Sequence, residues 1–123
     1  DMRVVQGAIP KTWDDSEHET LSQLWVRDEP ARALDFPALA ALCDVFFPRV
    51  WLRRARRVPA GTVGMTVYFH AGVEQLARQG DRHLLAQASG QAFRNGYFDQ
   101  TAQLWDAEGS LLATSHQIVY YKE

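Results

Sequence analysis

The hydrophobic pattern of this chain changes period partway along. Between Asp35 and Pro48 the apolar residues Leu39, Leu42, Cys43, Phe46 and Phe47 recur at helical spacing. Asp35 is a good N-cap, and Pro37 falls in the first turn, where a missing N–H costs nothing. Pro48 is expected to end or kink this helix near Phe47. A helix with so little polar surface must be wrapped by other structure. From Thr62 to about His70 the period becomes two, as in a strand. Val63, Met65, Val67 and Phe69 then form one face, and Thr62, Gly64, Thr66, Tyr68 and His70 the other. Leu84–Phe93, Tyr97–Asp106 and Leu111–Tyr121 read as three further strands. Arg94-Asn95-Gly96 joins the first two, and Asn-Gly is a strong hairpin signal. Ala107-Glu108-Gly109-Ser110 joins the last two.

Ahead of the helix, Leu21–Arg27 reads as a short strand, followed by a turn through Glu29-Pro30. Val73–Gly80 reads as a turn with a short helical piece. The order is strand, long apolar helix, then four antiparallel strands. That order predicts an α+β domain whose antiparallel sheet wraps a long central helix. Residues 1–20 show no sustained period and are punctuated by Gly7, Pro10, Asp14, Asp15 and Ser16. They are expected to be a linker or N-terminal extension, with the domain at 21–123.

Composition narrows the function classes. With 123 residues the chain is the size of one domain. A formal net charge of −2 gives no global pull toward nucleic acid. The local exception is the arginine group at 49, 53, 54, 56 and 57, expected as a basic connecting segment. Cys43 is the only cysteine, which excludes an intrachain disulfide and fits a reducing, cytoplasmic setting. No run approaches the roughly 18 apolar residues of a membrane span. No glycine-rich phosphate loop is present, no residue spacing suggests a metal site, and no cofactor is implied.

Three segments carry polar groups among large apolar ones. Asp44 lies in the apolar helix, Thr62 and Thr66 in the first long strand, and Gln117 in the last. A charge in an otherwise apolar helix is costly to bury unless it is paired or used. A carboxylate, a hydroxyl and an amide that converge can hold a water molecule, which points to hydrolysis. His116 neighbours Gln117 but turns to the opposite face of a regular strand. Cys43 reads as a small core residue with no base to activate it.

Five segments, LWVR at 24–27, LCDVFFP at 42–48, TVYFH at 66–70, LWDAEG at 104–109 and LATSHQ at 112–117, occur in an order and spacing that resembles one family. It is the acyl-CoA thioesterase II-like group of the hotdog superfamily, through its C-terminal hotdog domain. The resemblance implies hydrolysis of a fatty-acyl or related acyl-CoA to free acid and coenzyme A. It implies that Asp44, Thr62 and Gln117 bind the nucleophilic water, with Thr66 as the alternative hydroxyl. It also implies a second hotdog domain as partner, either the N-terminal half of the same protein or another copy in a homo-oligomer. A chain opening on Asp1-Met2 is then expected to be a piece of a longer one. Arg54 and Arg57 are candidates for the phosphates of coenzyme A. His70 with Asp44 would suit a hotdog hydratase or dehydratase, and a non-catalytic acyl-binding or assembly module is the third reading.

Overall fold

The computed structural model describes residues 1–9, 19–29, 31–55 and 57–122. Pro10, Asp14, Asp15, Ser16, Pro30 and Arg56, which entered the sequence reading, lie outside them. Strand β1 is Met2–Gln6 and β2 is Ser22–Val26; helices α1 (Phe36–Leu42) and α2 (Arg49–Arg54) follow. Then come β3 (Ala60–Phe69), α3 (Val73–Gln79), β4 (Leu84–Ser89), β5 (Phe93–Arg94), β6 (Tyr97–Trp105) and β7 (Leu111–Tyr121). The strands form a seven-stranded sheet ordered β1-β2-β4-β6-β7-β3, with β5 paired to β6. Every pairing is antiparallel.

The sheet packs its inner face on α1. Burial alternates strictly along β4 and β6, the pattern of a sheet with one covered face. Ala86, Ala88, Ala102 and Ala113 lie on that face and are almost fully buried. Their small side chains let Leu39, Leu42, Cys43 and Phe46 approach the sheet within one core cluster. The Asp35 carboxylate accepts the Ala38 N–H at 2.8 Å, as an N-cap should. Asn95 and Gly96 adopt φ of 56° and 76°, the left-handed pair of a type I′ hairpin.

Five features differ from the sequence expectation. The central helix is short, seven residues, and ends at Leu42 rather than near Phe47. Asp44 N–H bonds to Ala41 O, an i→i−3 closure that tightens the last turn. Pro48 biases Phe47 toward extended backbone, so the chain leaves the helix before it. The arginine segment is not merely a connector, because its first six residues form α2. Met2–Gln6, expected to be irregular, form an edge strand on β2. The expected strand Leu84–Phe93 stops at Ser89, since the Asp99 carboxylate captures the N–H groups of Gln91 and Ala92, both at 2.8 Å.

The fifth difference positions the site. The register of β3 on β7 shifts between Thr62 and Gly64, a β-bulge at Val63. Met65 pairs with Gln117 and Val67 with Ser115 on the inner face, while Thr66 pairs with His116 on the outer face. Thr62 pairs with Val119, so the bulge returns it to the inner side with Met65. Thr62 and Thr66 therefore do not share a face, and Val63 is 63% exposed rather than inward.

Candidate active site

Asp44 stands in the turn after α1, Gln117 at the middle of β7, and Thr62 beside the β3 bulge. Gln117 is buried at 3% exposure, whereas Asp44 and Thr62 are exposed in this chain. Gln117 Nε2 donates to Asp44 Oδ1 at 3.2 Å. Thr62 Oγ1 donates to Gln117 Oε1 at 2.9 Å. An ionised carboxylate only accepts, so the amide nitrogen faces Asp44 and its oxygen faces Thr62. The hydroxyl must then donate to the amide, which leaves its lone pairs toward the pocket. The expectation of an acid buried in an apolar helix does not hold, since Asp44 follows the helix and meets solvent.

These side chains border a pocket of about 160 Å³, with Phe46, Pro48, Ala60, Gly61, Gln100 and Val119 completing its wall. A water needs roughly 30 Å³, so the pocket has room for several. Its floor is two buried amides, because Gln100 on β6 pairs directly with Gln117 on β7. Its rim carries a carboxylate and a hydroxyl. A carboxylate able to take a proton and a hydroxyl able to accept a hydrogen bond can orient a water between them.

Two residues escaped the sequence reading. Gln100 shares the inner face of β6 with Phe98, Ala102 and Leu104, all buried. A polar residue at that period was the available signal. Arg49 reads in the sequence only as part of the basic connecting segment, yet it is fully buried. Its guanidinium donates to Thr20 O at 2.8 Å, Ser22 Oγ at 2.6 Å and Phe47 O at 2.9 Å. It also lies 4.5 Å from the centroid of the Phe47 ring. No carboxylate among the described residues pairs with it. Burial lowers its pKa to about 10. Its backbone N–H donates to Gln100 Oε1 at 3.3 Å, tying α2 to the site.

The remaining candidates lie apart. His70 Nε2 contacts Thr114 Oγ1 at 2.9 Å on an exposed part of the sheet. It is five residues beyond Met65, the partner of Gln117, roughly 16 Å along the strand. The His70–Asp44 pair of the alternative hydratase reading is therefore not assembled within this chain. His116 is exposed opposite buried Gln117, as alternation requires. Burial pushes the Cys43 thiol up to about 11, which suits a core residue and not a nucleophile. Arg54 donates to Phe93 O at 3.4 Å, and Arg57 lies 4.9 Å from the Trp51 ring centroid. Among the described residues no cluster of three or more metal-ligating side chains occurs. No described helix is long and apolar enough to cross a membrane.

Comparison with known proteins bears on the family and the fold. The family described as acyl-CoA thioesterase C-terminal domain matches residues 1–121. No curated protein matches the chain. A solved structure from Alicyclobacillus acidocaldarius, described as a conserved protein of unknown function with hot dog fold, is 44% identical with a TM-score of 0.90. The tesB protein of Mycobacterium avium subs paratuberculosis is 16% identical with a TM-score of 0.71. The E. coli PaaI protein is 10% identical with a TM-score of 0.62. These last two identities speak to the fold alone, which is the hotdog. The three comparisons cover 99%, 100% and 85% of this chain and 45%, 47% and 75% of the other. The chain thus spans less than half the length of the first two.

Proposed function

The chain belongs to the acyl-CoA thioesterase C-terminal domain family, and from that membership we propose that it hydrolyses acyl-CoA thioesters with a water held by Asp44, Thr62 and Gln117. The observation that carries this reading is the continuous hydrogen-bonded line Thr62–Gln117–Asp44 at the rim and floor of one polar pocket. Asp44 accepts a proton as the water oxygen attacks the thioester carbonyl carbon. The tetrahedral intermediate then collapses, the C–S bond breaks, and the sulfur leaves with a proton returned by the acid. Gln117 keeps the carboxylate oriented, and Thr62 keeps the amide from rotating. Arg54 and Arg57, on the chain between pocket residues Pro48 and Ala60, would meet the phosphates of coenzyme A.

The site needs a second hotdog domain in this reading. Strand β3 ends the sheet order and is ten residues long. Its exposed Val63 and Phe69 make it a poor free edge, at 63% and 44% exposure. A second copy, or an N-terminal half in a longer protein, would pair there and narrow the exposed pocket around Asp44. The reaction suits a cytoplasmic setting, where acyl-CoA is the soluble acyl carrier.

The direct experiment is release of free thiol from acyl-CoAs ranging from acetyl to palmitoyl, with benzoyl-CoA included. Steady turnover of at least one supports the reading. No turnover, alone or with a second hotdog domain supplied, overturns it and favours a non-catalytic acyl-binding module.

A further inference from the structure

We infer that Gln100 is a further catalytic residue, its side-chain Nε2 donating to the thioester carbonyl oxygen and to the oxyanion that forms there. The inference rests on the thioesterase reading and adds a residue that the water-binding trio does not contain. Gln100 is 3% exposed and lines the polar pocket beside Asp44, Thr62 and Gln117. The orientation of its amide is determined by chemistry. The Arg49 backbone N–H can only donate, so the atom facing it at 3.3 Å is Oε1. Nε2 is thereby turned away from α2.

Among the described residues no group accepts a hydrogen bond from Gln100 Nε2, and it is not a sealed, orphaned atom either. A buried amide donor left without a protein partner is costly unless something outside the protein meets it. The Gln117 amide already serves Thr62 and Asp44. Gln100 is therefore the one lining amide whose nitrogen is uncommitted. Direct cross-strand pairing puts it beside Gln117, with Cβ atoms about 5 Å apart. An acceptor for the water's proton and a donor for the carbonyl oxygen thus border the same small space. Hydrolysis needs both, and the donor counts most when it is fixed before the charge develops. Arg49 N–H supplies that fixation.

The test compares Gln100→Glu and Gln100→Met with wild type in the full-length chain, using the acyl-CoA that wild type turns over fastest. Glu keeps an acceptor for Arg49 N–H and removes the donor; Met removes both while keeping the length. The inference predicts that kcat falls about 100- to 1,000-fold in each folded variant, with KM within about threefold. If Gln100 only holds Arg49, Gln100→Glu keeps kcat within threefold, and the inference is overturned while the thioesterase reading stands. If wild type hydrolyses no acyl-CoA, both fall together. Should both variants fail to fold, the wild type decides by NMR. Saturation with the unreactive hexanoyl-CoA analogue carrying CH2 for sulfur should move the Gln100 side-chain amide protons downfield. An unmoved Gln100 amide beside a shifted Gln117 amide overturns the inference.

Discussion

Thr62 Oγ1 lies 2.9 Å from Gln117 Oε1, although unbroken β alternation would turn that hydroxyl to the other face of the sheet. The bulge at Val63 makes the contact. Thr62→Val should therefore lower kcat by roughly tenfold, the cost of about one hydrogen bond in the transition state. Thr66→Val, on the outer face, should leave it within twofold. Steady-state thiol release checks both, and equal losses would contradict the bulge assignment.

His70 and Asp44 do not meet in this chain. His70→Ala should keep acyl-CoA hydrolysis within twofold. A loss above a hundredfold would return the hydratase chemistry to consideration, with His70 acting from a partner copy.

The buried Arg49 is held by carbonyls and a hydroxyl rather than by a carboxylate. Arg49→Ala strands several of these acceptors, each costing about 1–3 kcal/mol when unsatisfied. Arg49→Lys removes the planar fork that reaches Thr20, Ser22 and Phe47 together. Urea denaturation should show both variants destabilised, Arg49→Ala by roughly 3 kcal/mol or more from the stranded acceptors and Arg49→Lys by less. A variant as stable as wild type would show that the burial carries no such constraint.

Cys43 gives a pH signature. Its folded thiol pKa stands near 11 against an ordinary 9.0, chiefly through burial. The unfolded chain therefore loses the proton first as pH rises. The associated stability is complete below about pH 9 and is lost through about pH 11. Wild type should lose more stability than Cys43→Val over that interval. At pH 8 a thiol-specific disulfide reagent should leave native protein unlabelled and should label one thiol after denaturation. Rapid native labelling would place Cys43 outside the core.

Much of the fold was legible because local chemistry and period agree. Asp35, Pro37 and the run from Leu39 to Cys43 announce α1, and Asn95-Gly96 announces the β5–β6 hairpin. Other parts leave no local trace. All five residues of β1 are exposed, so no buried face imprinted a period on Met2–Gln6. Phe46 keeps helical spacing from Leu42 although the chain has left the helix, because a buried turn needs apolar residues too. The segments bearing Asp44 and Gln117 were readable as polar breaks in apolar elements. The choice of Thr62 over Thr66 came from family resemblance, since a single-residue bulge is invisible to alternation. Gln100 was visible as a polar residue on the Phe98–Leu104 face but went unread. Arg49 looked like its solvated neighbours, and only the tertiary contacts of α2 turn it inward.

In the proposed reaction Asp44 takes the proton of the attacking water. The most direct measurement is kcat for thiol release by Asp44→Asn beside wild type on the best acyl-CoA substrate. Asn keeps the shape and an acceptor oxygen for Gln117 Nε2 but cannot hold the proton. With Asp44 as the base, kcat should fall on the order of a hundredfold or more with the melting temperature little changed. A folded Asp44→Asn protein that turns over at the wild-type rate would contradict it.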